Sequence, residues 1–216
     1  IEAIVRAADA DLVINAAAYT AVDKAEAERD AAFLVNAESP GAMARICAMR
    51  GLPLVNVSTD YVFNGSGSKP WREDDATAPI NAYGDSKLAG EQAIAASDAR
   101  AITLRTSWVF SAHGSNFVKT MLRFAGRPEL KVVDDQVGRP TFAGDLAEAA
   151  LIVGMRLARD ESAATGVFHF AGAEAVSWHQ FATAIFEAKG PPAPIVLPIP
   201  TRDYPTPAAR PANSVL

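Results

Sequence analysis

Asp11-Leu-Val-Ile-Asn-Ala-Ala-Ala18 is the stretch that decides the fold. It is short and apolar, β-branched at Val13 and Ile14, and lacks the alternation of a half-exposed strand. It reads as a strand buried on both faces. Upstream, Ile1–Ala10 reads as the end of a helix. Downstream, Ala21–Arg50 is helical by pattern, in two pieces broken near Glu38-Ser-Pro-Gly41. Leu52–Ser58 is a second buried strand, Asn81–Ser97 a helix, and Ala101–Phe110 a third strand that carries Trp108. A helix at Asn116–Ala125 and a short strand at Lys131–Asp135 follow. Next come a helix at Phe142–Arg159, a strand at Gly166–Ala171 and a helix at Trp178–Lys189. Strand and helix alternate at short spacing. The expected fold is therefore α/β, a doubly wound parallel sheet covered by helices on both faces. Asn64–Pro79 is expected to be loop, and the proline-dense tail from Gly190 to be extended loop lying over a surface.

The composition narrows what the chain can do. Its 216 residues suffice for a domain and a half, and half of them are hydrophobic, enough for a real core. The net charge of −5 leaves no basic footprint for nucleic acid and no attraction to an anionic membrane. No apolar run approaches the roughly 18 residues that span a bilayer, and no signal segment opens the chain. Cys47 is the sole cysteine, which excludes an internal disulfide and a cysteine metal cage. It reads as a small buried hydrophobe in a protein of the reducing cytoplasm. His113, His169 and His179 are scattered, and no pair of them has metal-ligand spacing. Neither a Gly-x-Ser-x-Gly turn nor a Cys/His arrangement offers a covalent nucleophile.

In parallel sheets of this kind the ligand crevice lies beyond the carboxyl ends of the strands. Three polar clusters fall there: Asn15–Thr20, Ser58–Tyr61 and Thr106–Trp108. Tyr83-Gly-Asp-Ser-Lys87 adds a tyrosine and a lysine four apart at the start of a helix, so both leave one face. A ketone reduced by hydride needs a proton at its oxygen. A tyrosine can deliver it, and a neighbouring lysine cation favours the phenolate and draws the pKa down. Ser58 or Thr59 can aim a hydroxyl at the same oxygen and stabilise the alkoxide as it forms. The small residues of Asn15-Ala-Ala-Ala18-Tyr19-Thr20 let the backbone approach a flat dinucleotide. Among the charges of the following helix, Asp23 stands nearest the crevice.

A doubly wound nucleotide-binding domain opens with a strand and a Gly-rich turn that seats the pyrophosphate. This sequence has no such turn. The expectation is a fragment lacking its first strands and a C-terminal segment. The unpaired side of a buried parallel strand would then be exposed, and the fragment alone should bind cofactor poorly or misfold.

Taken together, Asp11–Glu26, Val57-Ser-Thr-Asp-Tyr-Val-Phe-Asn-Gly65, Tyr83-Gly-Asp-Ser-Lys-Leu-Ala-Gly-Glu91, Arg105-Thr-Ser-Trp-Val-Phe110, Asp135-Gln-Val-Gly-Arg-Pro-Thr141 and Arg210-Pro-Ala-Asn-Ser214 resemble the dTDP-4-dehydrorhamnose reductase family, extended short-chain dehydrogenases/reductases. The resemblance runs across nearly the whole chain. It implies a Rossmann-type sheet at 1–130 and a smaller region at 131–216 that binds substrate and returns some elements to the sheet. It implies reduction of the 4-keto group of dTDP-4-dehydro-β-L-rhamnose by NADPH or NADH, on the way to bacterial surface polysaccharide. Tyr83 would be the proton donor, Lys87 its partner and a ribose ligand, and Thr59 the donor to the 4-oxygen. Ala17, Ala18, Tyr19 and Thr20 would line the cofactor. Thr59, Asp60, Trp108, Val22 and Asp23 would contact the sugar nucleotide. Some members are Mg²⁺-linked homodimers and others are not, and no metal ligands can be placed here. Two related readings stay open. One is a sugar-nucleotide epimerase or dehydratase, which would retain its NAD. The other is a non-catalytic regulatory subunit on the same fold, such as the partner of methionine adenosyltransferase.

Overall fold

The structure, a computed structural model, describes residues 2–216; Ile1, at the head of the expected first helix, lies outside them. In chain order the elements are α1 (Glu2–Ala7), β1 (Val13–Asn15), α2 (Val22–Ala25), α3 (Arg29–Phe33), α4 (Ser39–Arg50), β2 (Leu54–Thr59), α5 (Ala82–Ala95), β3 (Ala101–Thr106), β4 (Val109–Phe110) and α6 (Phe117–Arg123). There follow β5 (Glu129–Val133), β6 (Val137–Gly138), β7 (Thr141–Phe142), α7 (Ala143–Arg159), β8 (Gly166–His169), β9 (Val176–Ser177), α8 (Trp178–Lys189), β10 (Ile195–Ile199) and β11 (Asn213–Ser214).

The main sheet runs β1-β2-β3-β8, parallel throughout. Successive residues of a strand face opposite ways, and β2 and β3 use this to build two cores. Leu54 and Ala101 pack under α4 and α5 with Ala44, Cys47 and Ile94. Val55, Ile102 and Leu104 pack on the other face under α7, with Leu146, Ala150 and Leu157. The expected sheet with helices on both faces is thus present, and Cys47 is fully buried in the first core. A second, smaller unit pairs β5 with β10 beneath α6 and α8 around Met121, Leu130, Val132, Ala182, Ile185 and Phe186. The division expected near residue 130 runs through this unit, while α7 and β8 return to the main sheet. No helix among the described residues is long and apolar enough to cross a membrane.

Several local expectations change. The strand at 11–18 contracts to Val13–Asn15 and lies at the sheet edge, where Ile14 is exposed and not buried. The helical run 21–50 becomes α2, α3, a π-helical turn at Leu34–Glu38, and α4. The irregularity therefore precedes Ser39-Pro40, because a proline in the first turn of a helix forfeits no hydrogen bond. The third strand stops at Thr106, since Trp108 takes a left-handed backbone (φ 50°) that a strand does not accommodate. The tail is not all loop. Ile195–Ile199 pairs in parallel with β5, and Asn213–Ser214 with β6. β10 has a neighbour on one side only, so Pro198 can leave its missing N–H toward the free edge.

The placement of α5 matters most for the site. Asn81 caps it, accepting from the Gly84 N–H at 2.8 Å, and the Asn81 amide donates to the Ala209 carbonyl at 2.8 Å. The helix then lies unusually close to its neighbours. A Cβ on Gly84 would stand 2.2 Å from the Tyr61 carbonyl oxygen, and one on Gly90 would stand 2.0 Å from the Asn36 carbonyl oxygen. One residue on, buried Glu91 accepts from Arg105 of β3 at 2.7 Å and from the Ser58 hydroxyl. These contacts lock the helix to the sheet.

Gly90→Ala should consequently lower the unfolding free energy by about 1–3 kcal/mol, because backbone and not a flexible side chain must move. Gly126→Ala, where an added Cβ meets nothing within 4 Å, should change it by less than about 0.5 kcal/mol. Urea denaturation of the two variants checks the contrast, and equal midpoints would contradict it.

Candidate active site

Thr59 ends β2 in an extended conformation and caps the 3₁₀ turn at Asp60–Val62, its hydroxyl accepting from the Tyr61 N–H at 3.2 Å. Of the two hydroxyls the sequence offered, strand alternation separates the roles. Ser58 turns the other way and donates to Glu91, while the Thr59 hydroxyl meets the phenol of Tyr83. Asp60 follows and is only 3% exposed. Its Oδ1 lies 3.1 Å from the Thr59 hydroxyl, and its buried Oδ2 has no partner. Burial pushes this carboxyl up to about 7, against the pull of the Ser214 and Thr59 hydroxyls and its own backbone N–H.

Tyr83 lies in the first turn of α5 and Lys87 one turn later, as the spacing predicts. The Tyr83 ring meets Tyr61 edge to face, with centroids 5.4 Å apart at 76°. Burial pushes the Tyr83 phenol up to about 12, the hydrogen bond with Thr59 opposing and the Asp60 charge reinforcing the rise. The expected lowering by Lys87 does not emerge in the protein alone, because the buried ammonium donates to the Val57 carbonyl at 2.7 Å. Burial in turn brings Lys87 down to about 8, with Glu91 pulling the other way.

The loop after β1 completes one side. Ala16 and Ala17 are exposed, Ala18 and Tyr19 half-buried, and Thr20 exposed. The backbone here is open, and side chains of one carbon leave a flat ligand room to lie against it. Asn36, in the π turn and 1% exposed, fixes this loop. It accepts from the Tyr19 N–H at 2.8 Å and donates to the Tyr19 carbonyl at 3.0 Å. Its amide also donates to Ser86 at 3.0 Å, whose hydroxyl donates to the Tyr83 carbonyl at 2.8 Å. One asparagine thus ties the Ala17–Thr20 loop to the helix of Tyr83. Asn15 similarly donates to Asn56 at 2.7 Å.

A cleft of about 720 Å³ opens between the two units, with Asp23, Tyr61, Met121, Trp178, Tyr204 and Arg210 among its walls. Asp23 does face this cleft, paired with Arg210 at 2.9 Å and accepting from the Ala208 N–H at 3.2 Å. Val22, beside it at the start of α2, is half-buried. Trp108 does not stand alone. Its indole stacks on Trp178, 3.5 Å between centroids and 9° from parallel, and Trp178 fronts the cleft. Gly138 backs the pair, since a Cβ there would stand 2.5 Å from the Trp108 ring. Sequence reasoning missed Asn36, Trp178 and the Arg210 partnership. Asn36 lies in a stretch whose pattern reads as helix, and Trp178 stands at the start of another. No group of three or more His, Cys, Asp or Glu side chains that could hold a metal forms among the described residues.

The RmlD substrate binding domain model matches residues 1–216. The dTDP-4-dehydrorhamnose reductase of Burkholderia thailandensis is 48% identical over 99% of this chain and 75% of its own length. A dTDP-4-dehydrorhamnose reductase structure from Clostridium acetobutylicum superposes with a TM-score of 0.92 at 39% identity. One from Bacillus anthracis, in complex with NADP, superposes with a TM-score of 0.90 at 37% identity. Both alignments cover all of this chain and 74% of the solved one. The chain therefore spans about three quarters of the relatives it matches, and it belongs to the dTDP-4-dehydrorhamnose reductase family, oxidoreductases built on a Rossmann-type parallel sheet.

Proposed function

We propose that this protein reduces the 4-keto group of dTDP-4-dehydro-β-L-rhamnose with NADPH, giving dTDP-L-rhamnose. The reading is supported by the contact of the Tyr83 phenol with Thr59 at the carboxyl end of β2, with Lys87 one turn further along α5, in a chain 37% identical to a reductase solved with NADP. The bare backbone of Ala17, Ala18, Tyr19 and Thr20 fits the cofactor, and with Lys87 these residues would hold it. When bound, the nicotinamide supplies hydride to C4 of the sugar. The protein's own groups handle the oxygen. Tyr83, a neutral phenol at neutral pH with its pKa near 12, donates its proton to O4 as charge develops there. Thr59 donates to the same oxygen and stabilises the alkoxide. The Lys87 ammonium favours the phenolate left behind and, turned toward the cofactor, reaches a ribose hydroxyl. Asp60, Trp108, Val22 and Asp23 would contact the sugar nucleotide, Asp23 from the wall of the cleft itself. Trp108 does so as part of its stack with Trp178.

Tyr83→Phe should lower turnover by roughly 10²-fold or more, the usual share of a general acid, with NADPH affinity little changed. Near-normal turnover would overturn the mechanism. Thr59→Val removes a donor to developing charge and should cost about 1–3 kcal/mol in kcat; a change confined to KM would make Thr59 a binding residue only. Burial lowers Lys87 to about 8, and the ammonium is the working form. Turnover is therefore retained below that pH and lost as pH rises through it. Lys87→Gln should abolish this ionisation along with most of the turnover, as followed by loss of NADPH absorbance across a pH series.

A further inference from the structure

The hydrogen-bond inventory at Thr59 contains a conflict. Its hydroxyl has one proton to give and two lone pairs to accept with. One lone pair takes the Tyr61 N–H at 3.2 Å. If Asp60 is ionised it can only accept, so the Thr59 proton must go to Oδ1, 3.1 Å away. The Tyr83 phenol, in contact with the same hydroxyl, would then have to donate to Thr59. In that arrangement both protons needed at the ketone oxygen point elsewhere. The surroundings of Asp60 do not favour the ionised state. The residue is 3% exposed and Oδ2 has no hydrogen-bond partner. A buried carboxylate oxygen without a donor costs far more than a buried carbonyl oxygen.

The hydroxyls of Ser214 and Thr59 favour the ionised form, and burial outweighs them. On its own turn is Tyr61, and from α5 comes Tyr83; negative charge at Asp60 raises both phenols. Asp23 of α2 and Arg210, which act on the neighbouring Tyr61, are paired with each other at 2.9 Å. Lys87 is turned to the Val57 carbonyl. From β11 comes Ser214, whose hydroxyl opposes the rise without well-formed hydrogen-bond geometry to Oδ2.

We propose that Asp60 is a positioning residue that works as a neutral carboxylic acid, donating to Thr59 and so releasing the Thr59 hydroxyl proton toward the ketone oxygen. Protonated, Asp60 gives its O–H to the second lone pair of Thr59 and leaves Oδ2 as a carbonyl oxygen. Thr59 can then donate to O4, and the Tyr83 proton is no longer drawn to Thr59. The raised pKa of Asp60, about 7, makes this form available near neutrality. The inference rests on the reductase reading and assigns Asp60 a role behind Thr59, separate from contact with the sugar.

The test is the pH profile of kcat in wild type, Asp60→Asn and Asp60→Val, with NADPH and dTDP-4-dehydro-β-L-rhamnose. An asparagine amide can donate to Thr59 at every pH; a valine cannot. Wild type should lose two ionisations on the alkaline side, one from Asp60 and one from Lys87, and the limb should reach a slope of two protons. Asp60→Asn should fall on the alkaline side with a slope of one. Asp60→Val should lose roughly 10²-fold or more at all pH. An asparagine variant with the two-proton limb, or a valine variant as active as the asparagine one, would overturn the proposal. If Asp60→Asn fails to fold, infrared titration of wild type decides. A buried protonated-carboxyl band that disappears as pH rises past about 7 supports the proposal, and its absence at pH 6 contradicts it. A wild type that folds and binds NADPH but consumes none would instead overturn the reductase reading.

Discussion

The close approach of α5 to the segments around it is the constraint on which the site depends. Gly84 and Gly90 let the helix backbone come within reach of the Tyr61 and Asn36 carbonyls. At that distance Asn36 can bond the Tyr19 backbone on one side and Ser86 on the other. Ser86 then bonds the Tyr83 carbonyl. Moving the helix outward by the width of a methyl group would break this chain and separate the phenol from Thr59. The buried pair of Glu91 and Arg105 adds a charged lock. Such a pair contributes little net stability relative to apolar side chains, but breaking it by removing one partner leaves a buried charge uncompensated. Its value lies in fixing where the helix sits.

Electrostatics inside this frame follow from burial more than from pairing. Three groups that work together are all shifted toward their neutral forms: Asp60 up, Tyr83 up and Lys87 down. Tyr83 therefore keeps its proton at neutral pH, while Lys87 keeps its charge below about pH 8. Arg210, on the cleft wall, is held by Asp23 at 2.9 Å.

Much of this was legible in the sequence. Val55 and Leu54, Ile102 and Ala101 announce strands buried on both faces, and the helix of Tyr83 and Lys87 begins at Asn81 as its pattern indicates. Alternation could have assigned Ser58 and Thr59 to different faces. Other features were out of reach because they are made by distant partners. The π turn that holds Asn36 looks like ordinary helix in the sequence, and its close neighbour Gly90 lies more than fifty residues along the chain. Trp108 breaks the third strand with a left-handed backbone that nothing local demands; Trp178 and Gly138, far along the chain, surround its ring. The strand at Ile195–Ile199 was hidden by the prolines around it and by a pairing with β5, more than sixty residues earlier.

The most direct test of the account is stoichiometry. The protein would be incubated with dTDP-4-dehydro-β-L-rhamnose and a limiting amount of NADPH, and product would be counted against cofactor oxidised. The reductase account predicts one dTDP-L-rhamnose for each NADPH consumed, the reaction stopping when the cofactor is spent. Sugar conversion that proceeds without net loss of NADPH would contradict it, and would mean that Tyr83, Thr59 and Lys87 serve an internal hydride exchange instead.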